Sequence, residues 1–98
     1  MSRDAVTVAP HLYKVVLDNE RVRVLEIRSL PGAKTEMHTH PNQIAVAISD
    51  GKYRFTSPDR QNMEVELTAG QVMYLPPVEH TTEIIGTREA RVVLIELK

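Results

Sequence analysis

The 98-residue sequence contains no cysteine and no tryptophan. Without cysteine there are no disulfides, no thiolate metal ligands and no thiol nucleophile. Aromatic residues are scarce, one Phe and three Tyr, so the core is built largely from aliphatic side chains. Neither sign of charge dominates: 12 Lys and Arg face 13 Asp and Glu, for a formal net charge of −1. No basic stripe marks a nucleic-acid partner. No apolar run approaches the ~20 residues of a membrane helix, and the opening residues Met1 to Asp4 lack the apolar stretch of a signal peptide. A cytoplasmic protein with neither membrane nor nucleic-acid partner is the resulting expectation.

What is present reads as strands. Val, Ile and Thr are frequent, and turn residues recur every few positions. The pattern predicts strands at 12–17, 21–30, 35–40, 43–48, 53–56, 63–68, 71–75, 80–85 and 90–97. A shorter β-like run covers Ala5 to Val8 within an otherwise loosely held segment, Met1 to Pro10. No window carries a capped helical stripe. Met63, Val65 and Leu67 alternate with Glu64 and Glu66, giving one wet face. Three runs are instead apolar on both faces: Val22 to Ile27, Ile44 to Ile48 and Val92 to Ile95. About nine short strands in one domain spanning 1–98 predict a small closed all-β fold. The doubly apolar strands imply that the outer wall is covered, which leads to an expected homodimer.

Three of the four histidines stand in suggestive positions. His38 and His40 form an H-x-H pair, and on a strand residues two apart share a face. Gln43 begins the next strand, and His80 follows the Pro76-Pro77 break. Neutral imidazoles converging on one ion leave coordination positions open for water or substrate. Taken singly, each His reads equally well as a polar loop or core residue.

The surrounding frame resembles the cupin family, in its small single-domain form. The first cupin motif has a Gly, five residues, H-x-H, an acidic residue soon after and a later Gly. Gly32, His38-Thr39-His40, Gln43 and Gly51 fall at those spacings. The second motif has a Gly, five residues, a Pro and a downstream His, matched by Gly70, Pro76 and His80. Together the motifs span about 32–85. The sequence departs from the pattern in two places. Gln43 replaces the acidic ligand, and the Gly expected after Pro76 is absent, with the Pro-to-His spacing one residue short.

The resemblance implies an all-β, cupin-type double-stranded β-helix, or jelly-roll barrel. It also implies one divalent transition metal per chain on His38, His40 and His80. Neutral nitrogen donors suit Fe(II), Zn(II), Ni(II) or Mn(II) better than Ca(II) or Mg(II). Gln43 is open to three readings: a weak ligand, a hydrogen-bond partner of metal-bound water, or a bystander to a three-His site. If Gln43 faces the ion, Ala45 and Ala47 share its face, as pocket space or as plain packing. Glu36 shares a face with His38 on a continuous strand, as a partner of an imidazole N–H, a stand-in ligand or an edge charge. Tyr53, Phe55, Met73 and Tyr74 are candidates for pocket lining or core. The implied function is metal-dependent chemistry of the dioxygenase type on a small chelating, enolisable molecule. The alternatives are a non-catalytic small-molecule or metal-binding module and a sugar isomerase or epimerase.

Overall fold

The computed structural model describes residues 4–98; the Met1–Arg3 part of the N-terminal segment lies outside the described residues. One short helix, α1 (Ala5–Val8), precedes nine strands. These are β1 (Tyr13–Asp18), β2 (Val22–Ser29), β3 (His38–His40), β4 (Gln43–Ala47), β5 (Gly51–Thr56), β6 (Asn62–Leu67), β7 (Val72–Leu75), β8 (Val78–Ile84) and β9 (Ala90–Leu97). Each predicted strand is present. Most bounds move by one or two residues, the usual latitude where strand ends fray.

Two antiparallel sheets form the walls of the barrel. One has the order β1-β2-β9-β4-β7 and the other β3-β8-β5-β6. Register in the five-stranded sheet stacks inward residues into rows. Leu25 pairs with Leu94, Leu94 with Ala45, and Ala45 with Met73. One row toward the opposite end, Arg23 pairs with Glu96 and Glu96 with Gln43. The outward rows are also apolar: Val24 pairs with Ile95, Ile95 with Ile44, and Ile44 with Tyr74. The doubly apolar sequence runs are therefore real, and their outer halves are only partly buried, with Val72 and Tyr74 each 61% exposed.

Two local expectations fail. Ala5 to Val8 is a helical turn, because the Asp4 carboxylate accepts the Val6 N–H at 3.2 Å and caps it. The β-branched residues Val6, Thr7 and Val8 were outweighed by that cap and by burial: Ala5 and Ala9 are fully buried, so the segment is packed and not loose. The strand expected over 35–40 begins only at His38. Thr35 is still tied to β8, its N–H donating to the Thr82 carbonyl and its hydroxyl oxygen accepting the Thr82 N–H. The chain then leaves the ladder at Glu36 and rejoins it at His38, which pairs with His80.

Candidate metal centre

The β3–β8 ladder is what assembles the site. His38 lies directly opposite His80, and His40 is two residues along the same face of β3. The three imidazoles are buried, and one ring nitrogen of each lies within 4.8 Å of the others. The rings meet edge to face, with centroids 4.9 to 5.5 Å apart.

Their outer nitrogens are already committed. His38 Nδ1 donates to the Glu36 carbonyl at 2.9 Å, with the Thr35 hydroxyl at 3.2 Å. His40 Nδ1 donates to the Glu96 carboxylate at 3.0 Å. With the protons placed at Nδ1, both Nε2 lone pairs face inward, the tautomer a metal needs. The Tyr13 hydroxyl occupies His38 Nε2 at 3.1 Å. An ion held at that nitrogen would take the place of this contact and leave the phenol as a hydrogen-bond donor beside it. Burial holds the Tyr13 phenol far above its ordinary value, so it remains a donor.

Glu96 is anchored in turn. Arg23 Nε donates to it at 2.7 Å, and the same guanidinium forks onto Asp4 at 2.5 and 3.1 Å. These hydrogen bonds to Asp4, with that to Glu96, outweigh burial and raise Arg23 further above its ordinary value. For Asp4, burial acts upward, but Arg23 prevails and lowers its carboxyl. The chain His40–Glu96–Arg23–Asp4 thus runs from the site to the N-terminal helix. It places net negative charge one layer behind the imidazoles.

Proton affinity at the site is depressed. Burial, reinforced by the like charges of His38 and His40, lowers His80 to about 3. Burial is also the main reason that His38 is lowered. Both rings are therefore neutral donors at pH values where a solvated imidazole carries a proton.

Gln43 is 1% exposed, and its Oε1 has no hydrogen-bond partner among the described residues. A carbonyl oxygen left unpaired at the end of the cavity that carries the imidazole nitrogens completes a donor set that fits a divalent transition ion. His38, His40 and His80 would hold it, with Gln43 as a further oxygen at the same end of the sheet.

A cavity of about 210 Å³ opens beside the histidines. Gln43, Ala45, Tyr53, Phe55 and Met73 line it together with His40 and His80. Phe55 stacks on His80, with centroids 4.7 Å apart. Ala47 is buried in the core, away from the cavity wall. Two further candidates also fall outside. Tyr74 points outward and donates to Asn42 at 2.7 Å, because the alternation on β7 turns Met73 inward instead. Glu36 is exposed, since the chain has left the ladder there; its backbone carbonyl, and not its carboxylate, serves His38. Three contributors were missed: Tyr13, Arg23 and Glu96. Glu96 had a readable signal, a charged residue at an inward position of the alternating Val92, Leu94, Glu96 series. Tyr13 and Arg23 had none.

Two outcomes are expected. Glu96→Gln should weaken divalent-metal affinity about 10- to 100-fold, read by competition with a chromophoric chelator. The metal-free protein should lose stability as pH falls. A folded-state value near 3 against an ordinary value of 6.5 means that the unfolded chain binds the extra proton. Stability is therefore full above about 6.5 and declines toward 3, by at most about 1.4 kcal/mol per pH unit for this group. Urea titrations of wild type and His80→Gln should show a shallower decline in the variant.

The geometry has clear relatives. A family model described as a cupin domain matches residues 25–96. No curated protein matches the chain. Among solved structures, a cupin domain from Bordetella pertussis Tohama I is 33% identical with a TM-score of 0.80, covering 89% of this chain and 92% of its own. A cupin-like protein from Thermotoga maritima is 25% identical with a TM-score of 0.63, covering 87% of this chain and 66% of its own. A cupin family protein from Methanocaldococcus jannaschii with a double-stranded β-helix fold is 15% identical with a TM-score of 0.70, covering 88% and 78%. With two antiparallel sheets closed around three inward histidines, and a family model matched over most of its length, the chain belongs to the cupin family.

Proposed function

We propose that this cupin is a metal-dependent enzyme of the dioxygenase type, acting on a small chelating, enolisable molecule with an apolar body. The observation that carries the reading is the contrast between the two parts of the site. Three buried imidazoles converge at one end, and the cavity beside them is walled mainly by Leu, Ile, Val, Met and Phe. Among the described residues, no Asp, Glu, Lys or Arg lines it. A divalent ion held there supplies Lewis acidity, a template for a chelating oxygen pair and electron transfer to dioxygen.

The protein's own groups do the rest. The aliphatic walls exclude water and bind the ligand body through apolar contact. With no cation on the walls, the charge of an enolate has only the metal end to favour it. Tyr13, kept protonated by burial, is placed to donate a hydrogen bond to an oxygen at that end. Glu96 orients His40 and partly offsets the positive charge of the centre. Among the described residues that line the cavity there is no carboxylate or amine to serve as general base, so the substrate would enter already ionised as its enolate.

The same wall composition weighs against a sugar isomerase. A sugar brings a hydroxyl on nearly every carbon, and most would lack partners against Leu67, Leu75, Val92 and Leu94. A non-catalytic binding module shares every feature except turnover.

The reading is tested with metal-analysed protein, by oxygen uptake against a panel of diketones. Iron-loaded protein should consume oxygen only with substrate present. Gln43→Glu, which adds a carboxylate at the metal end, should raise metal affinity about 10- to 100-fold while lowering turnover of anionic substrates. Metal retention with no oxygen uptake on any compound would favour the binding module.

We also propose a homodimer packed through the outer face of the five-stranded sheet. Its support is the half-exposed apolar array of Val24, Ile44, Val46, Val72, Val93 and Ile95. Light scattering at micromolar concentration should return twice the chain mass, and Ile44→Glu should return the monomer. A monomeric wild type would refute this assembly.

A further inference from the structure

The cavity has a second polar end. Ser29 is 1% exposed and Tyr53 4% exposed, both line the cavity, and neither hydroxyl has a hydrogen-bond partner among the described residues. Native interiors rarely leave such groups unpaired.

The register locates them away from the histidines. Ser29 pairs with Ala90 on β9, six residues from Glu96, the residue that holds His40. Tyr53 pairs with Ile84 on β8, four residues beyond His80, or about 13 Å along the strand. Phe55 bridges the interval, stacked on His80 at 4.7 Å and on Tyr53 at 5.9 Å. The Tyr53 hydroxyl lies over Gly51, where an added Cβ would fall 2.7 Å from it. Gly51 therefore provides the room that the hydroxyl occupies.

We infer that Ser29 and Tyr53 form a distal hydrogen-bonding subsite, recognising a hydroxyl or carbonyl group at the end of the ligand opposite its chelating head. The inference rests on the ligand-binding part of the reading above and names the class: a two-ended molecule with an apolar, ring-sized middle. The dimensions agree. A cavity of about 150 Å³ holds benzene, so 210 Å³ accommodates a substituted ring. Burial raises the Tyr53 phenol to about 12, which keeps it a donor, while Ser29 can donate or accept.

The test uses benzoylacetone and its para-hydroxyphenyl analogue, which share a chelating head and differ only at the far end. Each is titrated calorimetrically into zinc-loaded protein, so that binding is read without turnover. Wild type should bind the hydroxylated compound about tenfold more tightly, the difference that about 1.4 kcal/mol of added hydrogen bonding produces. Tyr53→Phe and Ser29→Ala should each reduce that ratio, and the double variant should bring it near one with benzoylacetone affinity retained. Gly51→Ala, which deletes neither hydroxyl but crowds Tyr53, should also lower the ratio. A ratio near one in wild type, as expected if the hydroxyls merely hold water, overturns the subsite; so does an unchanged ratio in the double variant, or failure of both compounds to bind. The dioxygenase reading fails separately: clear discrimination in the zinc protein without oxygen uptake by the iron protein ends that reading and leaves the subsite standing.

Discussion

A buried carboxylate organises the centre of this protein. Glu96 is 2% exposed and touches both His40 and Arg23. An unpaired charge at that depth is prohibitively costly, so its partners must be in place for the barrel to close. Arg23 is held in register by the β2–β9 ladder, and its other face clamps Asp4. His40 receives the remaining oxygen and with it a defined tautomer. One charge network thereby ties the first described residues, the penultimate stretch of the chain and the imidazole cluster into a single arrangement.

The second organising feature is the stepwise change in polarity along the cavity. The histidine end offers imidazole nitrogens backed by a carboxylate. The middle is mainly aliphatic and aromatic, with Phe55 stacked between His80 and Tyr53 and the single hydroxyl of Thr82 opposite it on β8. The far end carries two hydroxyls without partners. Such a gradient would favour one orientation of a ligand as well as its composition. A ligand reversed in the cavity would place its polar tail among imidazoles and its chelating pair against hydroxyls that cannot replace a cation.

Burial is also what makes the imidazoles usable as ligands. Taken out of water and crowded together, His38 and His80 give up proton affinity. The cost is stored in the folded state and appears as a dependence on pH in the metal-free protein. A cation bound there would interact with the same lone pairs and offset that cost, which would couple metal binding to folding.

Much of the architecture was legible in the primary structure. Alternation and turn residues marked all nine strands, and the spacing of Gly32, His38, His40, Gly70, Pro76 and His80 carried the family frame. Those features are local or nearly so, and a strand's inward face follows from a period of two. What the alternation could not show was where a strand ends. Of the readings open to Glu36, those that place it at the site need a continuous strand, and the chain steps off the ladder at that residue, leaving an exposed edge charge. Ala5 to Val8 was decided by a capping side chain against weak β propensity. Tyr74 and Met73 were equal candidates until register turned one outward. The roles of Tyr13, Arg23 and Glu96 depend on contacts spanning 19 to 73 residues. Sequence alone thus determined the donors and the fold that carries them, because both are written in short-range patterns. Only the closed barrel decided which groups stand behind those donors and what fills the cavity beside them, because such contacts exist only after distant strands have paired.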